Sequence, residues 1–176
     1  MTGLRLSVLA YLCAVSVATG GANPDPAWFA PKLFAENCFS PFLTAASAQE
    51  KMTLPGVRID FYDLGPFSNA DPSPAKGRAA TPGTDRRCEI AFDGDHGTLA
   101  ADAAVQGLTT EGIATDAPLP TTHTDAGLSG TTLLAARFLN PKRIAVVHTG
   151  TRPGPNGVET FLLVERLTPL ASTQQN

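Results

Sequence analysis

The amino-acid sequence predicts an α+β domain: a five-stranded, largely antiparallel sheet with helices packed on one face. Three observations carry this. Residues 57–64 and 86–93 alternate apolar and polar side chains with the period of a half-buried strand. Three more strand-like runs near the C-terminus are joined by links too short for anything but antiparallel neighbours. Apolar residues recur at helical spacing in residues 25–51 and 98–111.

Asp25-Pro26-Ala27 opens the first helix, since Asp caps free backbone N–H groups and Pro is tolerated in a first turn. Trp28, Phe29, Leu33 and Phe34 follow at helical spacing, and Pro31 marks either the end of a short first turn or the true start. A second helical piece is expected from Ser40-Pro41 to Lys51, with Phe42, Leu43 and Ala46 on its apolar side. After the turn at Leu54-Pro55-Gly56, the first strand places Val57, Ile59 and Phe61 on one face. Residues 65–84 hold Pro66, Pro72, Pro74 and Pro82 and read as a long irregular loop. In the second strand Cys88, Ile90 and Phe92 share a face, so Cys88 points with the core.

A turn at Gly94-Asp95-His96-Gly97 leads into a helix over 98–111, closed by Gly112, with Leu99, Ala103 and Leu108 toward the sheet. Residues 113–130 form a second irregular stretch. Residues 131–139 and 143–149 then read as strands about a turn at Asn140-Pro141-Lys142, where Pro supplies the fixed φ of a type I turn. Gly154-Pro155-Asn156-Gly157 turns the chain into the last strand, 158–167. Residues 161–164 are apolar on both faces, so that strand is expected to be central or covered by helices. Residues 168–176 read as a flexible polar tail.

Residues 1–22 precede this single domain of 23–167 and have the three parts of a secretory signal peptide. Arg5 gives a positive start, residues 6–18 are 13 uncharged residues, and Thr19-Gly20-Gly21-Ala22 ends in small side chains suited to cleavage after Ala22. Cys13 sits mid-run behind Leu12, where a lipidated cysteine needs a small neighbour, so it reads as an apolar residue of the signal. A periplasmic or secreted location follows. The rest has no apolar stretch of membrane-spanning length, so no stable membrane insertion is expected. Cleavage removes only Arg5 from 13 basic and 16 acidic residues, leaving 12 and 16, and no basic run; nucleic acid is therefore excluded as a partner. Abundant Ala and an excess of Arg over Lys fit a GC-rich bacterial source. Cys38 and Cys88 remain, with no C-x-x-C spacing, and in an oxidising compartment they are expected to form a disulfide.

Few motifs carry chemistry. Asp93, Asp95 and His96 are the candidate metal ligands, but a helix–loop–helix calcium loop starting at Asp93 would need Glu where Ala104 stands. The segment reads better as a turn with Asp95 capping a helix, and no cofactor is expected. His123 is expected in solvent, and His148 on the same strand face as Ile144 and Val146. Ser73-Pro74-Ala75-Lys76 matches S-x-x-K but lies in a proline-rich loop, not on a helix. Gly127-Leu128-Ser129-Gly130-Thr131 misses G-x-S-x-G at its last position, and no phosphate-binding glycine motif occurs. Arg152 could pair with a ligand carboxylate, so His148 and Arg152 are the ligand-binding candidates; Glu159, Glu165 and Arg166 read as exposed rims. No catalytic residue is assigned.

These features point to an exported, non-enzymatic binding or accessory protein, offering the 65–84 and 113–130 loops to a protein or small-molecule partner in the periplasm. The alternatives are a small hydrolase or metal-dependent enzyme using His148 or His96 with a nearby Asp, and a structural or assembly factor of the cell envelope.

Overall fold

The computed structural model describes residues 25–64, 79–124 and 129–173. The expected export signal at 1–22 with Cys13, the Ser73-to-Lys76 match and most of the 65–84 loop lie outside the described residues. In chain order the elements are α1 (Pro26–Asn37), α2 (Ala45–Met52), β1 (Val57–Asp63), β2 (Thr84–Asp93), α3 (Gly97–Thr110), β3 (Asp116–Ala117), α4 (Thr121–Thr124), β4 (Thr131–Asn140), β5 (Arg143–Gly154), β6 (Gly157–Leu167) and α5 (Pro169–Thr173). The strands form one antiparallel sheet in the order β1-β2-β6-β5-β4-β3.

The sheet thus has six strands where five were expected. The addition is β3, a two-residue strand pairing with Ala136 and Arg137 of β4 and tied by an Asp116–Arg137 ion pair of 2.6 Å. A strand that short has no period to read. The central place of β6, between β2 and β5, is as expected.

The main core lies between the sheet and α1 to α3. Val57, Ile59 and Phe61 of β1, and Cys88, Ile90 and Phe92 of β2, meet Phe34, Ala100 and Ala104 there. Asp25 Oδ1 caps α1 by accepting from Ala27 N at 3.0 Å, and the helix runs through Pro31 to Asn37 as one piece. Pro31 costs only one backbone bond near the first turn, while Ala30, Phe34 and Ala35 gain burial, so packing outweighs the break. α2 starts at Ala45, capped by Thr44, which leaves Phe42 ahead of the helix and 87% exposed; Ala46 is exposed too, and Ala48 and Met52 are buried instead. On α3, Leu99 is exposed and the buried stripe is Ala100, Ala103, Ala104, Gly107 and Leu108. The N-cap is His96 rather than Asp95, which is exposed.

Cys38, directly after α1, is joined to Cys88 of β2 by a disulfide, with both residues buried. Among the described residues no helix is long and apolar enough to cross a membrane.

The helices are not all on one face. Ala171 of α5 packs with Ile144, Val146 and Leu167 on the opposite side of the sheet, where Ala117 and Leu119 also pack. Residues 168–173, expected to fray, are thereby anchored: Ser172 Oγ accepts from Ile144 N at 3.2 Å.

Candidate functional site

Strand alternation sends Arg58 and Asp60 of β1, Arg87 and Glu89 of β2, and Glu159, Phe161 and Glu165 of β6 to this second face, with His148 and Arg152 of β5 beside them. Buried carboxylates in a sheet must be paired or they would shift to the neutral form. Here they are paired in two groups.

The first group centres on Glu165. Arg87 Nε donates to Glu165 Oε1 at 2.8 Å, and Arg87 Nη1 donates to Asp60 Oδ2 at 3.1 Å. Thr81 Oγ1 also donates to Glu165 Oε1 and accepts from Arg87 Nη2. His123 Nε2 lies 3.0 Å from Glu165 Oε2, and its Nδ1 is 2.8 Å from Thr122 Oγ1. Burial alone would raise the Glu165 pKa; the hydrogen bonds from His123, Thr81 and Arg87 outweigh it and bring the pKa from 4.5 to about 2. Burial alone would lower the Arg87 pKa, and Glu165 reverses this, holding it above its ordinary value.

Two expectations are corrected by this group. His123 is buried, not solvated, and Glu165 is an interior anchor rather than a rim residue. Both irregular segments reach the same carboxylate, Thr81 from one and His123 from the other.

The second group centres on Glu159, also buried rather than on a rim. Its Oε2 accepts from Arg58 Nη2 at 2.8 Å and its Oε1 from Arg152 Nε at 2.6 Å. Arg58 Nη2 also donates to Asp93 Oδ1 at 2.8 Å, and Arg152 Nη2 to Glu89 Oε1 at 2.5 Å. The Arg152 guanidinium lies over the Phe161 ring, 4.8 Å from its centroid. Arg152 reaches this position because β5 continues to Gly154, through residues that read as a loop in the sequence. Burial opposes the charge of Arg152, but Glu89 and Glu159 outweigh it and raise the pKa. Above the pair lies a shallow cleft of about 390 Å³, lined by Arg58, Asp60, Glu89, Arg152 and Glu159 and by Pro153 and Pro155 of the hairpin tip. Gly157 closes that tip at φ +114°, where a side chain would be strained.

Of the other expected site residues, Asp93 joins the second group through Arg58. Asp93 spends its carboxylate on Arg58 and on Asn156 Nδ2, and these hydrogen bonds lower its pKa. The His96 ring stacks on Phe92 at 5.7 Å, while its backbone N–H donates to Thr160 Oγ1. His148 Nε2 pairs with Thr131 Oγ1 at 2.9 Å, and its ring meets Phe161 edge-on. Burial, then the charge of Arg152, lowers the His148 pKa. Among the described residues neither His96 nor His148 hydrogen-bonds to a carboxylate, and no three His, Cys, Asp or Glu side chains are placed to hold a metal ion.

Arg58 and Glu89 went unsingled in the sequence because strand alternation marks their face but not their partners. In comparisons with known proteins, no family, no curated protein and no solved structure matches the chain.

Proposed function

We propose that the protein is an exported, disulfide-linked binding module that takes a small polar ligand in the cleft on the second face of the sheet. The observation that supports this is the guanidinium pair. Glu159 holds both Arg58 and Arg152, and each arginine side chain stays about one-third exposed at the cleft. Donors held by buried carboxylates are pre-organised, so binding does not have to order them first. The lining favours binding over turnover. Among the described residues it carries no Ser, Thr, Cys or His, and the Glu89 and Glu159 carboxylates are engaged by the Arg152 and Arg58 guanidiniums. The buried Cys38–Cys88 bridge supports an oxidising compartment.

Native mass spectrometry of the chain from residue 23, mixed with a periplasmic extract and desalted, tests this reading. The wild type is expected to retain a small molecule that Arg152→Lys loses, because Lys keeps the charge but not the planar fork. Retention unaffected by Arg152→Lys, or no retention at all, would overturn the proposal.

A further inference from the structure

We infer that the protein self-associates through the open edge of its sheet, with β1 pairing antiparallel to β1 of a second copy about a two-fold axis at Ile59. In the strand order β1 is terminal, and among the described residues no strand pairs with its outer side. The ladder fixes which backbone groups face outward. Leu64 N donates to Asp85 O, and Gly94 N donates to Val158 O. Odd-numbered residues of β2 therefore bond to β1 and even-numbered ones to β6. In β1, the backbone groups of Arg58, Asp60 and Tyr62 accordingly point at β2, and those of Ile59 and Phe61 point outward. The Val57 carbonyl points outward with them, while the Val57 N–H is spent on Leu54 O. Such an edge is a template for another strand.

The side chains make this edge complementary to itself in one register. Centred on Ile59, a symmetric pair sets Arg58 opposite Asp60 of the second copy on both sides of the axis. These are non-hydrogen-bonded positions, where facing side chains lie closest. Centring on Arg58 or on Asp60 instead puts like charges directly opposite, which is destabilising, and centring on Phe61 puts Asp63 against Ile59. Arg58 has donors to spare: Nη2 serves Asp93 and Glu159, and Nε is buried without a partner. Asp60 already accepts from Arg87 Nη1, and a carboxylate takes more than one donor. On the core face the half-buried Val57 and Ile59 gain cover, Val57 from Phe61 and Ile59 from Ile59 of the second copy. Ile59 exchanges both backbone bonds with its counterpart, and each Phe61 N–H donates to a Val57 carbonyl. Beyond Val57, the turn at Pro55-Gly56, with Gly56 at φ +78°, ends the ladder. Because Arg58 and Asp60 also line the cleft, this pairing sets two clefts side by side across the axis.

The test follows the chain from residue 23 by analytical ultracentrifugation and by amide hydrogen exchange read by NMR. Both run from about 10 μM to about 1 mM, the range in which small interfaces associate. The mass is expected to rise toward twice the monomer's. The Ile59 and Phe61 amides should exchange several times more slowly at the highest concentration than at the lowest. Those of Arg58, Asp60 and Tyr62, bonded to β2, should not change with concentration. Ile59→Pro removes an outward N–H and leaves the bonds to β2, a change that edge strands tolerate, and should keep the protein monomeric with an unchanged circular dichroism spectrum. A monomer at every concentration would overturn the inference, as would a dimer whose Ile59 and Phe61 amides exchange fast throughout. Slow exchange of both amides that is equal at all concentrations would overturn it too, since the chain would then cover its own edge. A folded Ile59→Pro that still associates does the same; if that variant fails to fold, the exchange measurement on the wild type decides.

Discussion

Glu165 shows what one side chain can hold together. Its carboxylate collects Arg87 from a neighbouring strand, Thr81 and His123 from the two irregular segments, and stays ionised although buried. A pKa lowered from 4.5 to about 2 makes a stability contribution that is complete above pH 4.5 and disappears as pH falls toward 2. The difference corresponds to about 3 kcal/mol. Glu165→Gln should therefore lower stability at pH 7 by about that amount, and its urea midpoint should vary less than the wild type's between pH 5 and pH 2. Equal pH dependence of the two proteins would overturn the assignment. The sequence showed Glu165 beside Arg166 near the end of a strand and gave no sign of this role. Alternation put it on a face, but which segments fold onto that face is a tertiary matter.

Among the elements, the contact between α1 and α3 is the tightest to test. Gly107 faces α1, and a Cβ there would run into the Phe39 ring and lie 3.1 Å from the Ala35 carbonyl oxygen. Gly→Ala inside a helix ordinarily gains about 1 kcal/mol of propensity. Overpacking a filled contact costs about 1–3 kcal/mol, so the clash should win. Gly107→Ala is expected to lower the thermal midpoint, measured by circular dichroism; a rise would show that the two helices separate freely. The elements themselves were mostly legible. The strands at 57–64 and 86–93 and the central β6 followed from period-2 patterning and apolar runs. Phe42, Ala46 and Leu99 fell on the wrong side because helical spacing fixes a stripe only once the start of the helix is known, and α2 begins later than Ser40-Pro41 suggested.

Across the whole molecule, the Cys38–Cys88 bridge ties the end of the α1 layer to the sheet over a separation of 50 residues. Closing a loop of that length in the unfolded chain is worth about 4 kcal/mol on the chain-entropy model. Reduction should lower the urea midpoint by a comparable stability. In the exported protein both thiols should resist alkylation until reduced, with intact mass showing Asn23 as the first residue. Free thiols or a retained leader would refute the proposed compartment.

The pairing of the cysteines was legible in the sequence, because only two lie outside the expected leader and Cys88 shares a face with Ile90 and Phe92. The antiparallel sheet was determined likewise, because its period and short links are local properties of the chain. The cleft was decided only by tertiary structure: Arg58 and Glu159 lie 101 residues apart, and the register of β1, β2, β6 and β5 brings them within reach. Ion pairs between strands depend on that register, which emerges when apolar faces close against the helices rather than from either strand alone.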